Sequence, residues 1–179
     1  MALQIESQRL RLFPWSDTHL LDLKAFLQDP EVMYAYEHAF TDEEVANWLS
    51  WNLESYQTNG FGLWGIKDKE LDTVVGECGL TMQHVDGTEY LEIGYHLKKE
   101  HWHKGYAIEA AALCKKYAFE QTNTSAVVSI IRDTNLPSMK VAIRNGMLPE
   151  KRFVKTYMGI DMPHYLFMID RETYQQTEI

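Results

Sequence analysis

The stretch His101-Trp102-His103-Lys104-Gly105-Tyr106-Ala107-Ile108-Glu109-Ala110-Ala111 decides how the rest of the chain is read. A β-like segment, Thr88 to Leu97, runs into it, and a long helical pattern runs out of it. Gly105 stands where the chain turns from strand to helix. Such a junction gathers main-chain N–H groups and a helix N-terminus at one point, which suits an anionic phosphate. In the strand before it, Tyr90, Glu92, Gly94 and His96 share one face, while Leu91, Ile93, Tyr95 and Leu97 share the other. One face is therefore wholly apolar and the opposite one holds a carboxylate. In the helix after it, Ala107, Ala111, Cys114 and Ala118 form a stripe of small residues that lets the helix lie close on a sheet.

Working outward, Ser125 to Ile131 is a β-branched run with few charges, so it reads as a buried strand parallel to its predecessor across the helix. Arg132-Asp133-Thr134-Asn135 is a polar loop, Pro137 fits the first turn of a further helix, and Asn145-Gly146 closes that helix. Arg152 to Met158 and His164 to Ile169 read as a last hairpin, and residues 171 to 179 as a polar, loosely held tail. On the other side, Asp86-Gly87 is a tight hairpin turn preceded by strands Thr73 to Met82 and Phe61 to Ile66. Thr41-Asp42-Glu43-Glu44 is a capping box opening a helix with Val45, Trp48, Leu49 and Leu53. Arg9 to Phe13 alternates as a strand ended by Pro14, and Ser16 and Asp17 offer caps for a helix to about Gln28, stopped by Asp29-Pro30. The order describes an α/β protein with a mixed, mostly antiparallel central sheet of about seven strands and helices on both faces.

No repeat, low-complexity run or linker interrupts the 179 residues, so a single domain over 1–179 is expected. A net charge of −9 argues against broad binding to nucleic acid or to an anionic membrane. No apolar run approaches the roughly 20 residues of a membrane span, and Met1 to Glu6 lacks a signal-peptide pattern. Cys78 and Cys114 both lie in apolar patterns and read as buried free thiols, which makes a cytoplasmic location the default. His84, His101 and His103 are scattered and make no metal set with the cysteines. There is no Gly-x4-Gly-Lys-Ser/Thr nucleotide loop.

Several separate signals, in order, resemble the GNAT acetyltransferases and, within them, the RimJ/RimL-like N-acetyltransferases. They are Gln8-Arg9-Leu10-Arg11-Leu12, Val75-Gly76-Glu77-Cys78-Gly79-Leu80 and Glu92-Ile93-Gly94-Tyr95. Then come Trp102 to Ala110, and Asn135-Leu136-Pro137-Ser138-Met139-Lys140 before Asn145-Gly146-Met147. The superfamily's pyrophosphate loop usually begins with Gln or Arg, where this chain has Trp102, a departure common in the RimJ/RimL-like branch. The resemblance implies acetyl-CoA as co-substrate and no metal. It implies main-chain groups of Tyr95, His96 and Leu97 along the pantetheine arm, N–H groups of His103, Lys104, Gly105, Tyr106, Ala107 and Ile108 on the pyrophosphate, and Asn135 on the pantetheine. It implies an amine acceptor, either a protein N-terminus such as that of a ribosomal protein or a small amine such as a polyamine, and it brings a homodimer as an expectation.

The chemistry asks for a neutral amine, donors for the developing oxyanion (a main-chain N–H near Leu97 is expected) and relief of charge on the departing sulfur. Direct attack in a ternary complex needs mainly proximity and dehydration of the amine. Glu92 is the expected base, directly or through water, or else a structural carboxylate bonded by a neighbouring loop. Ser138 is the expected acid at sulfur, or else a helix-start residue. Many GNAT enzymes carry a Tyr acid one helical turn further on, where this chain has Ala142. That departure keeps a non-catalytic acyl-CoA-binding module as the alternative. Lys104 either meets a CoA phosphate or faces water, and His96 either touches substrate or packs. Tyr34, Tyr36, Phe40, Trp48 and Trp51 fall where the family builds its acceptor wall.

Overall fold

The turn at Asp86-Gly87, both residues at positive φ, folds β4 (Thr73–Val85) back on β5 (Thr88–Leu97). The computed structural model describes residues 3–177; the readings made for Met1, Ala2 and the last two residues of the tail lie outside it. Before this hairpin come β1 (Ile5–Glu6), β2 (Leu10–Pro14), α1 (Leu20–Leu27), α2 (Asp42–Thr58) and β3 (Leu63–Asp68). After it come α3 (Tyr106–Gln121), β6 (Ala126–Arg132), α4 (Leu136–Arg144), β7 (Leu148–Tyr157), β8 (Ile160–Asp170) and α5 (Arg171–Thr177). The sheet has eight strands in the order β1-β2-β3-β4-β5-β6-β8-β7. All neighbours are antiparallel except β5 and β6. The strand beyond the seven expected is β1, two residues long and too short to show a period.

Alternation along β4 divides the helices between the two faces. Cys78 is buried against Cys114 of α3, with the two free sulfurs 3.5 Å apart. Its neighbour Glu77 turns to the opposite face and meets Trp15 and, on α2, Trp48. The α3 side gathers the larger core, with Leu80, Ile93, Ala110, Ala111, Cys114 and Ala118 buried. The other side is a second core of Trp15, Leu23, Phe26, Leu27, Met33, Val45 and Leu49.

Caps set the helix ends. The Thr41 hydroxyl accepts from the Glu44 N–H at 3.2 Å, and the Glu44 carboxylate returns a bond from the Thr41 N–H at 2.8 Å. Ser16 and Asp17 start only a 3₁₀ turn, Asp17–His19, from which α1 continues. Pro14 is the last residue of β2, paired with Trp64, rather than a stop before it.

The tail expectation is corrected. Arg171–Thr177 is a helix, held because the Arg171 guanidinium donates to the carbonyls of Phe119, Thr122 and Thr124. Tyr174 is buried and its ring stacks on Phe119 at 4.5 Å between centroids. One aromatic and one Arg anchor an otherwise polar segment, a pattern with no period to read.

Candidate active site

Strands β5 and β6 are paired at a single position in the middle of β5. Their one pairing is Glu92 with Val128. Past it the two strands part, and the main chain of β5 shows which groups face the opening. The Ile93 carbonyl accepts from the Ser129 hydroxyl of β6 at 2.9 Å, and the Leu97 carbonyl from the Trp102 indole N–H at 3.1 Å. The Lys98 N–H points the other way, to Val75 of β4. Alternate residues of a strand send their main-chain groups to the same edge. The N–H and C=O of Tyr95 therefore face the gap, while those of His96 face Glu77, its partner in β4. The fork itself is held by Glu92, whose carboxylate accepts from the Ile130 N–H at 3.0 Å and, at 3.4 Å, from the Thr81 hydroxyl. Burial raises the Glu92 pKa above the ordinary carboxylate range, against the pull of Lys155 and the Ile130 N–H.

At the C-terminal end of β5 the chain enters the loop. His103 and Gly105 both take positive φ, 61° and 78°, and Gly105 is the residue before α3. The first helical bond runs from the Glu109 N–H to the Gly105 carbonyl at 3.2 Å. The N–H groups before it point out of the helix end. The loop is braced from behind by Arg9. Its guanidinium donates to the Lys104 carbonyl at 3.0 Å and pairs with the Glu109 carboxylate at 2.6 Å. It also lies over the Tyr106 ring, whose hydroxyl donates to Asp68 at 2.6 Å. Ser7 donates to the same Glu109 carboxylate. The Lys104 side chain is exposed, so only its carbonyl is committed. Ala107 and Ile108 occupy the first turn, half-buried.

Across the gap, Asn135 caps α4. Its Oδ1 accepts from the Ser138 N–H at 3.3 Å and from the Tyr34 hydroxyl at 2.7 Å, which leaves the amide NH₂ as its remaining donor. The helix-start duty considered for Ser138 thus belongs to Asn135. The Ser138 carbonyl accepts from the Tyr95 hydroxyl at 2.9 Å. Ala142 is buried in the core.

A 3₁₀ turn, Tyr34–Tyr36, spans the gap from above. Arg132 at the end of β6 donates to the Ala35 carbonyl at 3.5 Å and pairs with Glu37. Tyr36 reaches β5 instead, 3.1 Å from His96 Nε2. His96 Nδ1 lies 2.9 Å from Glu77, whose carboxylate is fully buried and also accepts from Trp15 and Trp48, each at 3.1 Å. This polar cluster was not read from the sequence as a unit. The available signal was Glu77 itself, a carboxylate in an apolar strand, the same anomaly that marked Glu92. Of the expected aromatic wall, Tyr36, Phe40 and Trp48 are joined edge to face, at 5.9 and 5.5 Å. Trp51 lies 5.3 Å from Trp48 at the surface.

Among the described residues no cluster of three or more His, Cys, Asp or Glu could hold a metal, and no helix is long and apolar enough to cross a membrane.

Residues 9–148 match the family described as acetyltransferase (GNAT) domain. YkkB, an uncharacterized Bacillus subtilis protein, is 31% identical over 145 residues, 80% of this chain and 84% of its own. A GNAT-family acetyltransferase from Bacillus anthracis superposes with a TM-score of 0.80 at 22% identity, covering 95% of this chain and 99% of that one. A Vibrio cholerae spermidine N-acetyltransferase, solved with CoA and spermine, superposes at 0.76 and 15% identity, covering 94% and 99%.

Proposed function

Because the chain belongs to the GNAT acetyltransferase family, whose members use acetyl-CoA as co-substrate, we propose that it is a single-domain RimJ/RimL-like N-acetyltransferase acting by direct attack of a primary amine in a ternary complex. Acetyl-CoA supplies the acetyl group already activated as a thioester. The observation that carries the reading is the gap beyond Glu92 and Val128, with a helix N-terminus at its end.

The residues divide by what they offer. The Tyr95 N–H and C=O can pair with an extended amide chain as a further strand would, and Leu97 shares that edge. His96 serves through its side chain rather than its main chain. The N–H groups of His103, Lys104, Gly105, Tyr106, Ala107 and Ile108 suit the pyrophosphate. Asn135 donates its amide to the pantetheine. The Tyr95 N–H is also the donor nearest the expected oxyanion. Glu92, with a pKa raised by burial, is the carboxylate at the fork that could take the amine proton, directly or through water. The Ser138 hydroxyl is the donor for the departing sulfur.

The acceptor is a cationic amine, a polyamine or a protein N-terminus. The supports are the fully buried carboxylate of Glu77 and the half-buried one of Glu92 beneath an aromatic wall and the net charge of −9. A thiol-release assay over polyamines, small amines and basic protein N-termini tests this. Acceptor-dependent release of CoA is expected. Tight acetyl-CoA binding with no such release would instead identify an acyl-CoA-binding module.

A further inference from the structure

The buried cluster beneath the turn at Tyr34–Tyr36 is wired in one direction. Glu77 receives three N–H donors on two oxygens: Trp15 on Oε2, Trp48 on Oε1 at 3.1 Å, and His96 Nδ1 on Oε1. A carboxylate in that position can only accept, so His96 carries a proton on Nδ1, and in the neutral ring Nε2 holds the lone pair. The group facing Nε2 is the Tyr36 hydroxyl, at 3.1 Å. With His96 neutral, Tyr36 donates inward. Its oxygen then has only lone pairs to offer anything that enters above the gap, and an ammonium offers only donors.

We propose that Tyr36, His96 and Glu77 form a proton path on the acceptor side of the sheet, with Tyr36 touching the amine and His96 and Glu77 positioning and charging it. The path rests on the N-acetyltransferase reading above. In the step, the ammonium gives a proton to Tyr36 Oη while the Tyr36 proton passes to His96 Nε2. His96 becomes an imidazolium that neutralises the Glu77 carboxylate. The amine is left with a free lone pair; its C–N bond forms as the C–S bond breaks. The second nitrogen proton leaves with sulfur as the thiol, and the proton on His96 returns to water through Tyr36.

Position supports this. The turn that carries Tyr36 is tied across the gap to Asn135 and Arg132. The His96 ring is stacked on Phe26 and met by the edge of Trp48, so it is fixed in rotation. The titratable groups facing Tyr36 are Glu77 from β4, Glu92 and His96 from β5 and Tyr157 from β7, and burial raises its pKa well above the usual phenol range. The helices α1 and α2 bring only Phe26 and Trp48 to His96. Glu92 is the rival base, with one donor on each oxygen at the fork, and the Glu92→Gln comparison below decides between the two.

Two measurements test the path. In the unliganded protein, ¹⁵N NMR of the His96 ring should show the proton on Nδ1; a proton on Nε2 with Nδ1 bare would overturn it. With the best acceptor from the amine panel, Tyr36→Phe should lower kcat/KM for the amine on the order of 10²-fold at neutral pH, with KM for acetyl-CoA unchanged. The loss should shrink as pH rises toward the amine's own pKa, since the amine then arrives neutral; a purely structural role would give no such rescue. A pH-independent loss, or full activity of Tyr36→Phe beside a pH-rescued loss in Glu92→Gln, overturns the path and leaves acetyl transfer standing. Failure of the wild type to acetylate any amine overturns both.

Discussion

The two faces of the central sheet are built from different materials. On the α3 side the residues are small and apolar, and the polar groups offered are main-chain N–H and C=O from Tyr95 and the loop before α3. On the α1 and α2 side, side chains carry the polarity: Glu77, Thr81, Glu92 and His96 lie under Trp15, Tyr36 and Trp48. Main-chain recognition needs only a strand edge, a glycine and a helix end, so it suits a co-substrate common to many enzymes. Side-chain recognition has to be assembled residue by residue, and it is where an acceptor would be selected.

The sharpest way to break this contrast is to change Glu77. Glu77→Gln keeps the shape and replaces one oxygen by a donor. Trp15 directs its N–H at Oε2 and Trp48 at Oε1, with a longer contact of 3.4 Å to Oε2, so an amide nitrogen at Oε2 opposes Trp15 and one at Oε1 leaves Trp48 only that longer contact. A loss of about 3 kcal/mol is expected, from one or two buried donors left unpaired, which for a chain of this size lowers Tm by about 6–12 °C. Calorimetry showing an unchanged Tm would mean that Glu77 is not the acceptor for both indoles. Gly105→Glu acts on the other face. Its φ of 78° disfavours any side chain, and a carboxylate would stand beside the loop N–H groups. Acetyl-CoA affinity should fall by about 10²-fold or more, about 2.7 kcal/mol, with the fold and the Glu77 cluster intact. Equal affinity by calorimetric titration would remove the loop from the site. Arg9→Ala is a milder version of the same test. It frees the Lys104 carbonyl and Glu109 without touching the glycine, so a loss of about 1 kcal/mol, roughly fivefold in affinity, is expected.

The same contrast explains what could be read from the residues alone. The α3 side was legible because its signals are local: Gly105 before a helix and a small-residue stripe after it. The hairpin at Asp86-Gly87 and the cap at Thr41 are local too, and both occur as read. The other side draws its members from positions 15, 36, 48, 77 and 96, and no window of sequence contains them together. His96 was placed at the gap by its main chain, yet strand alternation turns that main chain to β4 and leaves the imidazole as the useful group. The C-terminal helix was missed for a related reason: Tyr174 and Arg171 matter through Phe119 and the carbonyls near it, some fifty residues away.

The smallest expected effect concerns the residue that the two faces share. Glu92 sits at the fork, and its folded pKa is raised, first by burial. An acid with a raised folded pKa contributes its stability below the unfolded value, near 4.3 for Glu, and loses it as pH rises through the folded one. Ionised Glu92 is thus a cost, offset in part by Lys155 and the Ile130 N–H. Glu92→Gln keeps an oxygen for the Ile130 N–H and has no proton to lose. Its Tm should match the wild type near pH 4 and rise above it as pH increases through the folded pKa of Glu92. Turnover should fall in the same variant if Glu92 also takes the amine proton. A Tm difference that does not change between pH 4 and pH 7 would show that the carboxyl is not titrating out of its burial. The folded and unfolded pKa values of Glu92 would then be equal, and its ionisation would cost the fold nothing.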